Sequence, residues 1–155
     1  MRGFSRRHIL TLAVYIGGAS ANIEFARAQT ATSSSGARIA LEGYDPLSYF
    51  DPGRPEKGSS EFQFAFDDAV YWFQSADHRA KFAADPERYA PQYGAYCAVA
   101  LASGEKVEAD PHAWSISNGK LYVFGAKEGV AEFNKNRAGI VSQASSNWQK
   151  LHESK

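Results

Sequence analysis

A single cysteine, Cys97, in 155 residues leaves this chain no means of forming an internal disulfide. Stability must therefore come from an apolar core. The sequence also lacks a Gly-rich phosphate loop, a His-Glu-x-x-His pair and any paired-carboxylate motif, the local signatures of nucleotide, metallohydrolase and acid–base sites. No basic cluster and no aromatic–basic alternation is present, so nucleic acid is not an expected partner. Lys+Arg and Asp+Glu each number 17, a formal net charge of zero. No internal repeat is long enough to build a solenoid.

The one long apolar run lies at the N-terminus. Ile9 to Ile23 is interrupted by Gly17, Gly18, Ser20 and Asn22, which makes it too short and too polar to anchor a bilayer helix. It is preceded by Ser5-Arg6-Arg7-His8-Ile9-Leu10 and followed by Ala26-Arg27-Ala28. Residues 1–28 thus read as a twin-arginine export signal, with the mature chain starting at Gln29 and the protein periplasmic or secreted. A general secretory signal and an uncleaved anchor are the alternatives. The twin-arginine route carries folded cargo, often around a cofactor. Taking 28 residues from 155 leaves 127, enough for one domain. Arg2, Arg6, Arg7 and Arg27 leave with the signal, so Lys+Arg falls from 17 to 13. Glu24 leaves too, so Asp+Glu falls from 17 to 16 and the net charge becomes −3. No second apolar span follows, so no integral membrane segment is expected after cleavage.

Residues 29–38 are polar and small, the composition of a disordered linker. The folded domain is expected over 39–151. Asp45-Pro46 reads as an N-cap with proline at the first helical position, opening a single turn. Phe62, Phe64 and Phe66 alternate with smaller or polar residues as in a half-buried strand. Asp67-Asp68 turns the chain back into Val70–Phe73, completing a hairpin. Ser75 caps a helix that Asp85-Pro86 ends. Residues 93–104 predict a compact buried helix with Gly104 at its C-cap. Asn118-Gly119 predicts a second hairpin between 113–116 and 121–124. Residues 126–136 and 140–151 look helical. The expected fold is a small α+β domain with two β-hairpins packed against several short helices.

Several ordered motifs carry a family likeness. Gly43-Tyr44-Asp45-Pro46-Leu47-Ser48-Tyr49-Phe50, Tyr71-Trp72-Phe73-Gln74-Ser75-Ala76 and Phe82-Ala83-Ala84-Asp85-Pro86-Glu87-Arg88-Tyr89 come first. Tyr93-Gly94-Ala95-Tyr96-Cys97-Ala98, Asp110-Pro111-His112-Ala113-Trp114 and Asn147-Trp148 follow. Over residues 39–151 the chain resembles the secreted "GYDPVAYF"-type members of the YHS-domain family. Related YHS and TRASH-like domains bind metals through cysteines, and some accompany copper or other heavy-metal transporters. This sequence departs from that pattern in keeping only Cys97 and in lacking a Tyr-His-Ser triplet.

A metal site built from these residues would take a thiolate from Cys97, an imidazole from His112 and a third ligand from His78 or Asp110. That soft donor set suits copper or a similar transition metal. Each candidate also has a plainer reading: Cys97 as a small core residue, His112 as an exposed loop residue, His78 as a solvated helix residue. His152, in the tail, has almost no functional claim. An abundance of tyrosine and tryptophan offers a second possibility. An aromatic pocket beside Cys97, with Tyr96 and Trp114 as binding residues, could hold a flat ligand, a haem or a segment of a periplasmic partner protein. The same rings could equally be core. A third possibility is a thiol-dependent enzyme in which Cys97, His112 and Asp110 act as nucleophile, base and orienter, though no cysteine-hydrolase signature surrounds Cys97. The expectation is a periplasmic metal-binding module, with the aromatic-pocket accessory module next and the enzyme last.

Overall fold

The computed structural model describes residues 36–153. Residues 1–28, read from sequence as an export signal, and 29–35 of the expected linker lie outside the described residues. At that end the expectation of disorder fails for Arg38, which is already in a strand: β1 (Arg38–Ile39) runs parallel to β3, placing Arg38 opposite Ala69. Its guanidinium donates to the Gly94 carbonyl and to Glu108, which ties the chain's entry to a distant loop.

The domain is α+β, as expected. β2 (Ser59–Phe66) and β3 (Ala69–Phe73) form the first hairpin and with β1 a three-stranded sheet ordered β1-β3-β2. β4 (Asp110–Ser117) and β5 (Lys120–Phe124) form the second. Helices α1 (Ala76–Ala84) and α2 (Pro86–Tyr89) follow the first hairpin, α3 (Ala98–Ala102) precedes the second, and α4 (Lys127–Lys135) and α5 (Arg137–Glu153) follow it. Local signals act where expected. Asp45 caps a 3-10 turn over Pro46–Tyr49, and the Ser75 hydroxyl accepts from the His78 amide at the start of α1. The buried helix expected over 93–104 is shorter: a 3-10 turn covers Gln92–Ala95, Tyr96 and Cys97 are extended, and only Ala98–Ala102 is α-helical. Tyr93, Gly94 and Ala95 all have positive φ (60°, 60° and 66°), which a right-handed helix does not admit.

That left-handed turn has a counterpart at Leu41, Glu42 and Gly43, with φ of 53°, 51° and 81°. The correspondence continues along the chain. A capped turn follows each one, at Asp45 and at Cys97. An isolated bridge comes next, Tyr44 to Lys57 and Tyr96 to Glu108. Then comes a bulged hairpin. The first pairs Ser59 with Phe73, Gln63 with Trp72 and Phe64 with Tyr71; the second pairs Asp110 with Phe124, Trp114 with Val123 and Ser115 with Tyr122. Every residue of the second set lies 51 positions after its counterpart in the first, and the bulge falls at the same place. The turns, Asp67-Asp68 and Asn118-Gly119, both use positive φ at the two central residues. Phe82 of α1 and Phe133 of α4, also 51 apart, are the only buried residues of their helices. The domain is one motif built twice. Two copies are fewer than the three or more a solenoid stacks, and side-chain identity between the halves survives at few positions, among them Tyr71/Tyr122, Phe73/Phe124 and Phe82/Phe133.

Each half has its own core. Phe82 is ringed by Phe64, Phe66, Tyr71 and Phe73, with centroids 5.0–6.0 Å away. Phe133 packs on Tyr122 and Phe124 at 4.8 and 5.2 Å. Strand β5 serves both: Leu121 and Val123 belong to the first cluster, Tyr122 and Phe124 to the second, as strand alternation requires. Within the first core the Tyr71 hydroxyl is buried with no hydrogen-bond partner. An unsatisfied buried polar group costs about 1–3 kcal/mol. Tyr71→Phe is therefore expected to raise stability by roughly 1 kcal/mol, measured by urea unfolding; a loss of stability would mean that the hydroxyl has a partner, such as a buried water.

Candidate functional site

The residues expected to share one metal site sit in three different surroundings. His78 pairs with Asp45, its Nδ1 donating to Oδ2 at 2.6 Å. The Asp45 carboxylate, fully buried, also accepts the backbone amides of Leu47 (2.8 Å) and Gln74 (2.9 Å). The pair thus fastens the first capped turn, the end of β3 and the start of α1 together. Beside it, the Gln74 amide and the Arg54 guanidinium donate to Glu56 and hold its carboxyl below the usual range. His112 lies on the bulge of β4, exposed, with its Nε2 3.3 Å from the Tyr44 hydroxyl. Asp110 accepts the His112 backbone amide at 2.8 Å, a local turn contact. Cys97 is buried in the second core, and its Sγ accepts the Ala100 amide at 3.4 Å, so it acts as the cap of α3. Among the described residues no three His, Cys, Asp or Glu side chains gather as a metal cage needs.

Tyr96 and Trp114 likewise part company. Trp114 packs edge-on against Tyr49 at 5.3 Å, in the first cluster. Burial pushes the Tyr49 phenol well up, and its hydroxyl donates to the Pro111 carbonyl. Tyr96 lies 6.2 Å from Trp148 and under the guanidinium of Arg38 (4.1 Å).

The aromatic cavity that the composition called for lies elsewhere. A cleft of about 420 Å³ opens between the first hairpin turn, the segment after α2 and the outer face of α5. Phe66, Tyr93 and Trp148 supply its rings, and Asp67, Glu87, Lys120, Gln92 and Gln149 its polar lining. Three devices fix it. The left-handed turn at Tyr93–Ala95 brings Gly94 against Trp148, where an added Cβ would come within 2.9 Å of the indole. The Tyr93 hydroxyl bonds the Val141 carbonyl (3.2 Å) and Ser145 Oγ (3.1 Å) of α5; burial is the main cause that raises its phenol. Asn147 donates to the last carbonyls of α3, Leu101 at 3.0 Å and Ala102 at 3.1 Å, which seats α5 beside the turn.

No protein-family profile matches the chain, and no curated protein or solved structure is significantly similar to it. The site must be read from its own chemistry. His152, given almost no role from sequence, meets Trp148 edge-on with centroids 4.1 Å apart and places Nε2 3.3 Å from Asp67. It therefore joins the end of α5 to the hairpin turn whose Asp67 lines the cleft. Trp148, quoted from sequence only as part of a motif, is the ring on which Tyr93, Tyr96 and His152 converge. A stripe along 145–152, at the spacing of one helix face, is the signal that could have placed these residues together. Its partners on the far side, Phe66 and Lys120, lie too distant in sequence to be anticipated.

Proposed function

We propose that the chain is a YHS-like periplasmic binding module, without catalytic turnover, whose ligand is a small flat molecule held in the cleft between Tyr93, Phe66 and Trp148. The observation that carries this reading is the cleft itself: an open cavity of about 420 Å³, in the size range of small-molecule sites, with aromatic walls and a charged rim. Periplasmic placement follows from the twin-arginine reading of residues 1–28, and family membership from the ordered motifs between Gly43 and Trp148.

The rim favours a cationic ligand. Asp67, whose Oδ1 lies 3.3 Å from His152 Nε2, and Glu87 outnumber Lys120, whose ammonium donates to the Glu87 backbone carbonyl at 2.9 Å. Ring faces attract cations, by about 0.5–2 kcal/mol depending on desolvation. An aromatic amine uses both features. In a titration of the ¹⁵N-labelled protein with tryptamine, the amides of Asp67, Ala90, Gln92 and Tyr93 and the Trp148 indole should shift together. Trp148→Ala should weaken binding by about tenfold, the effect of losing one stacking and cation–π contact of about 1.4 kcal/mol. Absence of shifts at these positions with millimolar tryptamine rejects the reading.

Coordination of copper by Cys97, with His112, His78 or Asp110 assisting, is the competing proposal. Elemental analysis of the wild-type protein and Cys97→Ala decides between the two. Equal metal content in both agrees with Cys97 as a buried cap, and loss of one equivalent in the variant restores it as a ligand.

A further inference from the structure

The duplication extends to the cleft. A second cavity, of about 370 Å³, lies between the turn of the second hairpin and the first part of α5. Five residues of its lining, Ser117, Asn118, Ala138, Val141 and Ser142, stand 51 positions after Phe66, Asp67, Glu87, Ala90 and Pro91 of the first cleft. The same register relates the two hairpins, so the two cavities are the same feature of the repeated motif.

Their chemistry has diverged in a consistent direction. Where the first cleft has the carboxylates of Asp67 and Glu87, the second has the neutral side chains of Asn118 and Ala138. Arg137 joins the lining of the second at the position that Pro86 holds in the first half. Its guanidinium gives one hydrogen bond to Asn134 at 3.0 Å and sits 5.6 Å from the Phe133 ring. A guanidinium has five donors in a planar fork that matches a carboxylate, so one such contact leaves it competent to bind an anion. The opposite wall is Tyr122, with Val141 beside it.

We infer that this second cavity is a separate binding site for a small carboxylate with an aromatic or apolar body, the carboxylate meeting Arg137 and the body lying against Tyr122 and Val141. The inference extends the small-ligand reading of the first cleft, but its ligand has the opposite charge, so the two can fail independently.

The test uses the ¹⁵N-labelled whole protein and sodium benzoate as probe. Benzoate should shift the amides of Asn118, Ala138 and Ser142 while leaving those of Asp67, Ala90 and Gln92 in place. Arg137→Gln should weaken benzoate binding at least tenfold, and Arg137→Lys, which keeps the charge and loses the fork, should fall between. Tryptamine shifts at the first cleft should be the same in both variants, which also reports that the fold is intact. Benzoate shifts that are absent, that centre on Lys120 in the first cleft, or that persist in Arg137→Gln would overturn the assignment. Failure of tryptamine alongside a normal benzoate response would reject only the first-cleft ligand.

Discussion

Replacing Asp45 with alanine should destabilise the domain by about 3–5 kcal/mol, the cost of orphaning the donors that its fully buried carboxylate satisfies. The carboxylate has no exposed surface and accepts three hydrogen bonds, from Leu47, Gln74 and His78. Its loss leaves two backbone amides and an imidazole without their acceptor, each orphaned group costing about 1–3 kcal/mol when water cannot reach it. For a domain of this size the melting temperature should drop by roughly 10–20 °C. His78→Ala should cost much less, because Asp45 keeps both amides and the histidine, at 25 % side-chain exposure, vacates a place that water can enter. The double variant should be less destabilised than the sum of the two, the sign of a direct interaction. The duplication supplies an internal control. Cys97 holds the position of Asp45 in the second half but accepts one backbone amide, that of Ala100 at 3.4 Å, where Asp45 accepts three bonds. Cys97→Ala should therefore cost about 1 kcal/mol, in the range of losing a helix cap. Thermal and urea unfolding of the four proteins would show it. An Asp45→Ala variant within 1 kcal/mol of wild type, or no more affected than Cys97→Ala, would mean that the buried carboxylate does not hold the first half together.

What the sequence announced and what it hid divide along the range of the interactions involved. Asp45-Pro46, Ser75 and Asn118-Gly119 act through hydrogen bonds and φ preferences spanning two or three residues, and each produced the expected turn or cap. The alternating phenylalanines of β2 and the apolar run of β5 announced strands for the same reason. The segment after Pro91 did not behave as its small residues implied. Tyr93 and Ala95 adopt left-handed conformations costing about 1–2 kcal/mol per non-glycine residue, and only tertiary contacts hold them there: the Arg38 contact to Gly94 and the Tyr93 bonds to α5. The duplication stayed hidden because backbone conformation outlasted side-chain identity. Leu41-Glu42-Gly43 and Tyr93-Gly94-Ala95 share a turn and no residue at equivalent positions. The candidate site was legible only as composition. Excess tyrosine and tryptophan pointed to a pocket, but locating it requires knowing that α5 returns to the first hairpin turn, a contact across some eighty residues of chain. For the same reason the metal candidates could be grouped only by ligand chemistry, while Cys97, His112 and His78 have separate partners in the fold.

The second large effect follows from how the repeated helices are attached. Each of α1 and α4 buries one side chain, Phe82 or Phe133, so a single ring docks nine residues of helix. Phe82→Ala should cost about 3–5 kcal/mol, the sum of lost transfer energy and the cavity left among Phe64, Phe66, Tyr71 and Phe73. Phe133→Ala should cost a similar amount against Tyr122 and Phe124. Phe82→Leu and Phe133→Leu, which keep most of the volume, should each cost no more than about 1.5 kcal/mol. The two phenylalanines lie in different clusters with no shared ring partner, so their costs should add. A combined loss of roughly 6–10 kcal/mol reaches the whole stability of an ordinary domain, and the double alanine variant should be unfolded at room temperature. The halves could couple through β5, whose two faces serve the two cores, and through β4 and the Gln92–Ala95 turn, which divide Ala113 from Trp114 and Tyr93 from Ala95 in the same way. Unfolding of the single leucine variants and of their double would reveal that coupling: additive costs mean that the repeated halves are stabilised separately, and a double variant departing from the sum by more than about 0.5 kcal/mol means that these shared elements transmit strain from one core to the other.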